Sequence, residues 1–201
     1  MGMVKWIILG VVAYFLGTIP FGYLVGKANG TDVRQHGSGN VGFTNVWRVL
    51  GIKYAAIVLA GDFGKGFLAA FIGNWIAGTY GVLVASLIAI LGHTFNCFLN
   101  FKGGKGIATG AGCLCYMSPL TFLILAVVLV AVVGTTKYMS LGSILAAWLA
   151  PIVLYFMGAP MEYVVGIGFA AAYVIILHIP NIQRLMKGTE NKIGHRKENA
   201  S

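Results

Sequence analysis

Charge is what this chain has least of. Charged residues fill 9% of its 201 positions, only five of them acidic, while hydrophobic residues fill 58%; soluble domains carry roughly 25% and 45 to 50%. So few charges cannot clothe a water-facing globule. The five carboxylates, Asp32, Asp62, Glu162, Glu190 and Glu198, form no tight group, whereas magnesium is held by grouped carboxylates or by a substrate's phosphates. Neither a metal site nor a cofactor is therefore expected. The three cysteines, Cys97, Cys113 and Cys115, fit no C-x-x-C pattern, which excludes a paired redox or zinc motif and leaves buried free thiols.

What the chain has instead is apolar length. A spanning helix needs about 20 mostly apolar residues, and residues 4 to 26, 54 to 77, 80 to 99, 141 to 157 and 162 to 179 qualify. The stretch from Gly106 to Thr136 has no charge, with Pro119 near its middle, where a proline breaks or kinks a helix. Read as two pieces, of roughly 16 and 18 residues, it is slightly short for a ~30 Å hydrocarbon core. Two pieces make seven helices, and then the basic segments 27 to 53, 93 to 106, 137 to 139 and 180 to 197 all face one side. Twelve of the fourteen Lys and Arg fall there, with Lys65 inside a span and Lys5 outside. The positive-inside rule makes that side cytoplasmic. The expectation is an all-α polytopic membrane protein of seven transmembrane helices, one domain over residues 1 to 201, N-terminus outside and C-terminus cytoplasmic. With one Lys and no A-x-A-like site, the opening stretch reads as mature chain. The formal charge of +9 reads as topogenic and lipid-anchoring charge, with no nucleic-acid partner.

Three cytoplasmic segments hold more than topology requires. In the first, Gly37, Ser38, Gly39, Asn40, Gly42, Asn45 and Arg48 alternate glycines with small polar side chains. Glycine permits close backbone approach, successive amides form anion-binding nests, and arginine adds a bidentate charge. Phe43 stands where a Walker loop needs Lys, which excludes that motif. In the second, His93 precedes a turn of Lys102, Gly103, Gly104, Lys105 and Gly106 that runs through Thr109 into an apolar helix, whose N-terminus favours an anion. In the third, His178, Asn181 and Arg184 leave the last span, followed by Glu190 and Lys192; Glu190 is placed to orient a neighbouring cation. Asp62 and Lys65, three apart inside a span, are expensive there unless paired, and a structural ion pair or a place beside the cavity is expected of them. Ser143 is a further candidate for the cavity wall.

Together the segments GSGNVGFTNVWR, GHTFNCFLNFKGGKGIAT and HIPNIQRLMKGTENKIG resemble the three cytoplasmic motifs of the bacterial acyl-phosphate-dependent glycerol-3-phosphate acyltransferases. The likeness spans the whole chain in order and spacing. It implies transfer of a fatty acyl group from acyl phosphate to the 1-hydroxyl of glycerol 3-phosphate, giving 1-acylglycerol 3-phosphate and phosphate, by a monomer in the bacterial inner membrane. On this reading Ser38, Lys105 and His93 are catalytic, by positioning or charge stabilisation, and Gly37, Gly39, Asn40, Gly42, Asn45, Arg48, Lys102, Gly103, Gly104, Gly106, Thr109, Ser143, His178, Asn181 and Arg184 bind substrate. The proton acceptor is open among His93, His178, Asp62 and a substrate phosphate, the last preferred. Which cradle holds which phosphate is also open. The chain lacks the spaced aspartates of CDP-alcohol phosphotransferases and the His-x4-Asp signature of thioester-using acyltransferases. The rival reading, a transporter of a phosphorylated metabolite, lacks an inverted repeat and a site reachable from both faces.

Overall fold

The computed structural model describes residues 2 to 193; Met1, Gly194 at the end of the third motif, and the tail with Arg196, Lys197 and Glu198 lie outside the described residues. Among the described residues there are nine α-helices and no strand: α1 (Gly2–Thr18), α2 (Phe21–Ala28), α3 (Phe43–Leu50), α4 (Ile52–Thr94), α5 (Ile107–Met117), α6 (Pro119–Thr136), α7 (Met139–Phe156), α8 (Met161–Leu177) and α9 (Ile179–Met186). By length and composition four helical segments can cross a membrane, or five if the bent pair α8 and α9 counts as one.

The expected helix over residues 4 to 26 is two helices. Pro20 has no N–H to give Leu16, the Ile19 amide takes that carbonyl instead, and α1 stops at Thr18. The carbonyls this exposes are not left bare. Asn96 Nδ2 donates to Thr18 O at 2.6 Å and Lys65 Nζ to Ile19 O at 2.8 Å, satisfying groups that would otherwise cost the full penalty of a buried unpaired carbonyl.

α4 is a helical hairpin. Its φ/ψ angles leave the helical region at Ala77 and Gly78, the latter at φ +59°, and a Cβ on Gly73 would stand 2.3 Å from Gly81 O. Residues eight apart in one straight helix lie about 12 Å apart along the axis, so the chain reverses here. The two arms, 52–76 and 79–94, match the two expected spans, except that the second ends at Thr94, well before residue 99, and gives way to a short 3-10 turn at Cys97–Leu99. α1 packs on the second arm through Leu9, Ala13 and Ala85.

The division at Pro119 is where the sequence puts it. Ser118 caps α6, accepting from the Thr121 amide, and Pro119 occupies the first turn. α5, however, is only 11 residues long, roughly 17 Å against a ~30 Å core, because residues 102 to 106 are spent as an irregular approach to it. α5 crosses the first arm of α4 at close range: a Cβ on Gly66 would be 2.0 Å from Thr109 O and one on Gly112 2.0 Å from Phe63 O. Small residues let apolar helices approach where lipid supplies no hydrophobic push. Gly112→Leu is expected to force this crossing apart and cost about 3 kcal/mol or more, read as loss of a monodisperse peak and a lowered melting point in detergent.

α2, α3 and the turn between them lie across the end of the bundle, held to the first arm of α4 by Val33, Val41, Val46, Ala55, Val58 and Leu99. At the same end the segments that carry the second and third motifs meet, and Ile193 N donates to Lys137 O at 2.9 Å. At the other, Tyr80 Oη donates to Glu162 at 3.2 Å.

Candidate active site

The first loop is built around Asn45. Its side chain is 1% exposed; Oδ1 accepts from the Ser38 amide at 2.8 Å, and Nδ2 donates to the carbonyls of Val33 at 2.9 Å and His36 at 3.1 Å. Asn45 thus frames the loop from behind. Gly37 has φ +64°, and a Cβ there would stand 2.3 Å from Asn45 Oδ1, so glycine is required twice over. Gly39 adopts φ +71°, and Asn40 Oδ1 accepts from the Gly42 amide at 2.8 Å. The fold leaves Ser38 exposed at the tip, and Arg48, in the last turn of α3, lies close enough to the third motif for the charges of Glu190 and Arg184 to act on it.

The second loop leans on the end of α4. Gly103 N donates to Thr94 O at 2.8 Å and Gly104 N to His93 O at 3.1 Å. A Cβ on Gly103 would lie 1.9 Å from His93 O and one on Gly104 2.1 Å from His93 Nε2. These glycines are there so that the backbone can lie flat on His93, and their own amides are spent on the end of α4. The amides left at the start of α5, after the Gly106 cap at φ +79°, are the ones aimed outward. Lys102 is exposed, whereas Lys105 turns inward and donates to Asn181 Oδ1.

The third motif closes the group. Pro180 falls in the first turn of a new helix, α9, set 56° from α8, so the chain restarts rather than continues, and Asn181 and Arg184 share its inner face. Glu190 sits between them: Oε1 accepts from Asn181 Nδ2 at 2.7 Å and Ser140 Oγ at 2.8 Å, and Oε2 from Arg184 Nε at 2.6 Å. Because Glu190 takes the Nδ2 end of Asn181, Oδ1 is turned to Lys105. His178 Nδ1 bonds to Val174 O at 2.8 Å and is buried beside the cluster. Lys192 lies 5.5 Å over the Tyr138 ring and holds the segment after Glu190 to the start of α7.

Lys105, Asn181, Arg184, His178 and Glu190, with Arg48 beside them, are therefore brought into one cationic cluster. Ser143 is buried on α7 one turn past Ser140; Thr109 is wholly buried, its carbonyl against Gly66, and His93 stands behind Gly104. Ser140 escaped the sequence reading, though its spacing of three from Ser143 puts both on one helix face.

Across residues 7–188 the chain matches the family model for glycerol-3-phosphate acyltransferase. The chain belongs to that family. Among its relatives are "Glycerol-3-phosphate acyltransferase 2" of Moorella thermoacetica, 45% identical with 95% of this chain and 99% of the relative covered, and the glycerol-3-phosphate acyltransferase of Fusobacterium nucleatum, 46% identical over 90% and 95%. The fold superimposes on a crystal structure of PlsY (YgiH), an integral membrane glycerol 3-phosphate acyltransferase in its glycerol 3-phosphate form, with a TM-score of 0.90, 38% identity and 94% and 96% coverage; the lysophosphatidic acid form gives 0.88. This acyltransferase family member is thus an all-helical protein of the membrane, and the polar cluster stands out against its apolar helices. Burial is the main cause that brings Lys105 down to about 8, with Glu190 opposing and Arg184 adding to the shift. Burial would raise Glu190, but the bonds from Asn181, Ser140 and Arg184 outweigh it and hold the carboxyl below its usual range.

Proposed function

We propose that this chain is a single-domain, monomeric enzyme of the bacterial inner membrane that transfers a fatty acyl group from acyl phosphate to the 1-hydroxyl of glycerol 3-phosphate, giving 1-acylglycerol 3-phosphate and phosphate. The observation that carries the reading is the convergence of Arg48, Lys105 and Arg184, one cation from each motif, on one cluster at one end of the helices. Both substrates bear phosphate, and the acyl donor has a long apolar tail that suits a site set into a membrane face beside the short α5. The solved relatives are described in glycerol 3-phosphate and lysophosphatidic acid forms, which supports the same acceptor and product here.

Counting the arms of α4 separately and taking α5 as a short span, seven helices cross the membrane. This fits the gathering of the basic segments at one end, the cytoplasmic end by the positive-inside rule, with the N-terminus outside.

Acyl phosphate is a mixed anhydride, so the protein needs mainly to position a hydroxyl at the carbonyl and to stabilise charge on the phosphate and the developing oxyanion. The C–O ester bond forms, the carbonyl–phosphate bond breaks, and the hydroxyl proton passes to an oxygen of the departing phosphate. Ser38, Asn40, Lys102 and Lys105, with the outward amides, hold one phosphate; Arg48, His178, Asn181 and Arg184 hold the other. Lys105, bonded to Asn181, stands between the two. Only its ammonium form serves a phosphate, so kcat/KM is expected to fall as pH rises through about 8, and Lys105→Arg to carry that limb to higher pH.

The test is donor choice. Purified protein in detergent, given glycerol 3-phosphate and either acyl phosphate or acyl-CoA, is expected to make lysophosphatidate from acyl phosphate alone. Product from acyl-CoA alone would overturn the donor assignment.

A further inference from the structure

Asp62, Lys65 and His93 are 2%, 4% and 6% exposed and stand outside the cluster just described. Ionisable groups at such depth are costly and persist where they do something for their neighbours. Lys65 Nζ lies 2.6 Å from Asp62 Oδ1, as an ion pair rather than a directed hydrogen bond, and His93 Nδ1 is 3.5 Å from the same oxygen. Lys65 also holds Ile19 O at the break between α1 and α2. His93 therefore joins two things. One ring nitrogen faces the buried pair, and the other edge lies against Gly104, next to Lys105, while its carbonyl accepts from the Gly104 amide.

We infer that Asp62, Lys65 and His93 form a buried positioning network that sets where loop 102–106, and with it Lys105, sits in the site. The physical reason lies in the loop itself. Three of its five residues are glycine, which has the widest choice of backbone conformations and the most to lose on ordering, so the loop takes its place from what it leans on. It leans on the His93 ring and on the carbonyls of His93 and Thr94. The ring's pitch depends on Asp62 Oδ1, and Asp62 is in turn held by a lysine anchored to a different helix junction. A shift in this stack moves Lys105 relative to Asn181. The three residues act through Lys105 and do not touch substrate. This inference rests on the acyltransferase reading above for its activity readout, and has a second readout that does not.

The experiment uses Asp62→Asn/Lys65→Met, which removes both charges together so that neither is left buried alone, and His93→Asn, which keeps a donor toward Asp62 but takes away the ring edge under Gly104. Each is purified in detergent, and acyl transfer is measured alongside hydrogen exchange of the Gly103 and Gly104 amides. Both variants are expected to lose about 10²-fold in kcat/KM, the scale of an ångström-sized misplacement of a binding group. The two glycine amides should exchange about tenfold faster or more, with exchange in α7 and α8 unchanged. Wild-type kcat/KM and wild-type exchange in a folded double variant would overturn the network. Should the double variant not fold, the same pair of results in His93→Asn would overturn it. Should the wild-type protein itself make no lysophosphatidate, the acyltransferase reading fails while the glycine exchange still decides the network.

Discussion

Lys105→Ala is expected to lower kcat/KM for lysophosphatidate formation by roughly 10² to 10³-fold, the range seen when one preorganised charge stabiliser is removed from an active site. Folding should change little. Among the described residues the Lys105 side chain makes one hydrogen bond, to Asn181, and its loss relieves a partly buried cation whose neighbours include Arg184. The check is a pair of measurements on one preparation, steady-state acyl transfer and thermal melting in detergent. A wild-type rate would remove Lys105 from the site. A variant that fails to insert would be uninformative alone, and Lys105→Met, with a similar stem and no charge, supplies the same comparison.

Glu190→Ala is expected to act in the opposite way, on the fold first and on activity as a consequence. The side chain is 6% exposed and pairs with Arg184, which is 39% exposed, while also receiving Ser140 and Asn181. Its removal leaves three donors without an acceptor and two cations, Lys105 and Arg184, facing each other across the gap. Breaking a buried pair by taking one partner costs ~3 to 5 kcal/mol, less where one member is half open to water, so about 2 to 3 kcal/mol is expected here. That corresponds to a melting point lower by roughly 5 to 10 °C. Glu190→Gln separates the contributions: its oxygen still accepts from Ser140 and Asn181, while its amide NH2 stands where Arg184 Nε needs an acceptor, so it should recover much of the melting point while Arg184 stays misaligned and activity stays low. Equal melting points for wild type and Glu190→Ala would contradict the arrangement.

The apolar runs were legible because hydropathy over about 20 residues is a strong signal, and Pro119 with Ser118 before it marked the division between α5 and α6. Pro20 marked the other break equally well, but it sits inside a run that is apolar on both sides, so length alone read residues 4 to 26 as one helix. The reversal at Ala77 and Gly78 falls at the end of one expected span and before the next. What sequence could not show is which carbonyl each side chain reaches. Asn45 reads as a ligand in a glycine loop, yet its amide is spent on the Ser38, Val33 and His36 backbone. The 37–42 loop reads as an open nest, yet the amides of Ser38, Gly39 and Gly42 are taken by Asn45, His36 and Asn40, and Gly103 and Gly104 are glycine because His93 lies against them. Glu190 was expected to orient a neighbouring cation, and it holds Arg184; Ser140 as a third partner was not expected, since its spacing from Ser143 places the two on one face without showing that the face meets a carboxylate fifty residues on. The charged residues of the three motifs were the legible part of the site, and the second layer behind them, Asn45, His93, Asn96 and Ser140, is visible only once the helices are packed.

The central claim is that one cluster receives both phosphates and passes an acyl group between them, and the most direct test follows both products at once. Purified protein is given acyl phosphate with and without glycerol 3-phosphate, and phosphate release and lysophosphatidate formation are recorded in the same reaction. Release equal to lysophosphatidate formed, and dependent on glycerol 3-phosphate, is the predicted result. Phosphate released at the same rate without the acceptor would make the cluster a hydrolytic site and contradict the claim.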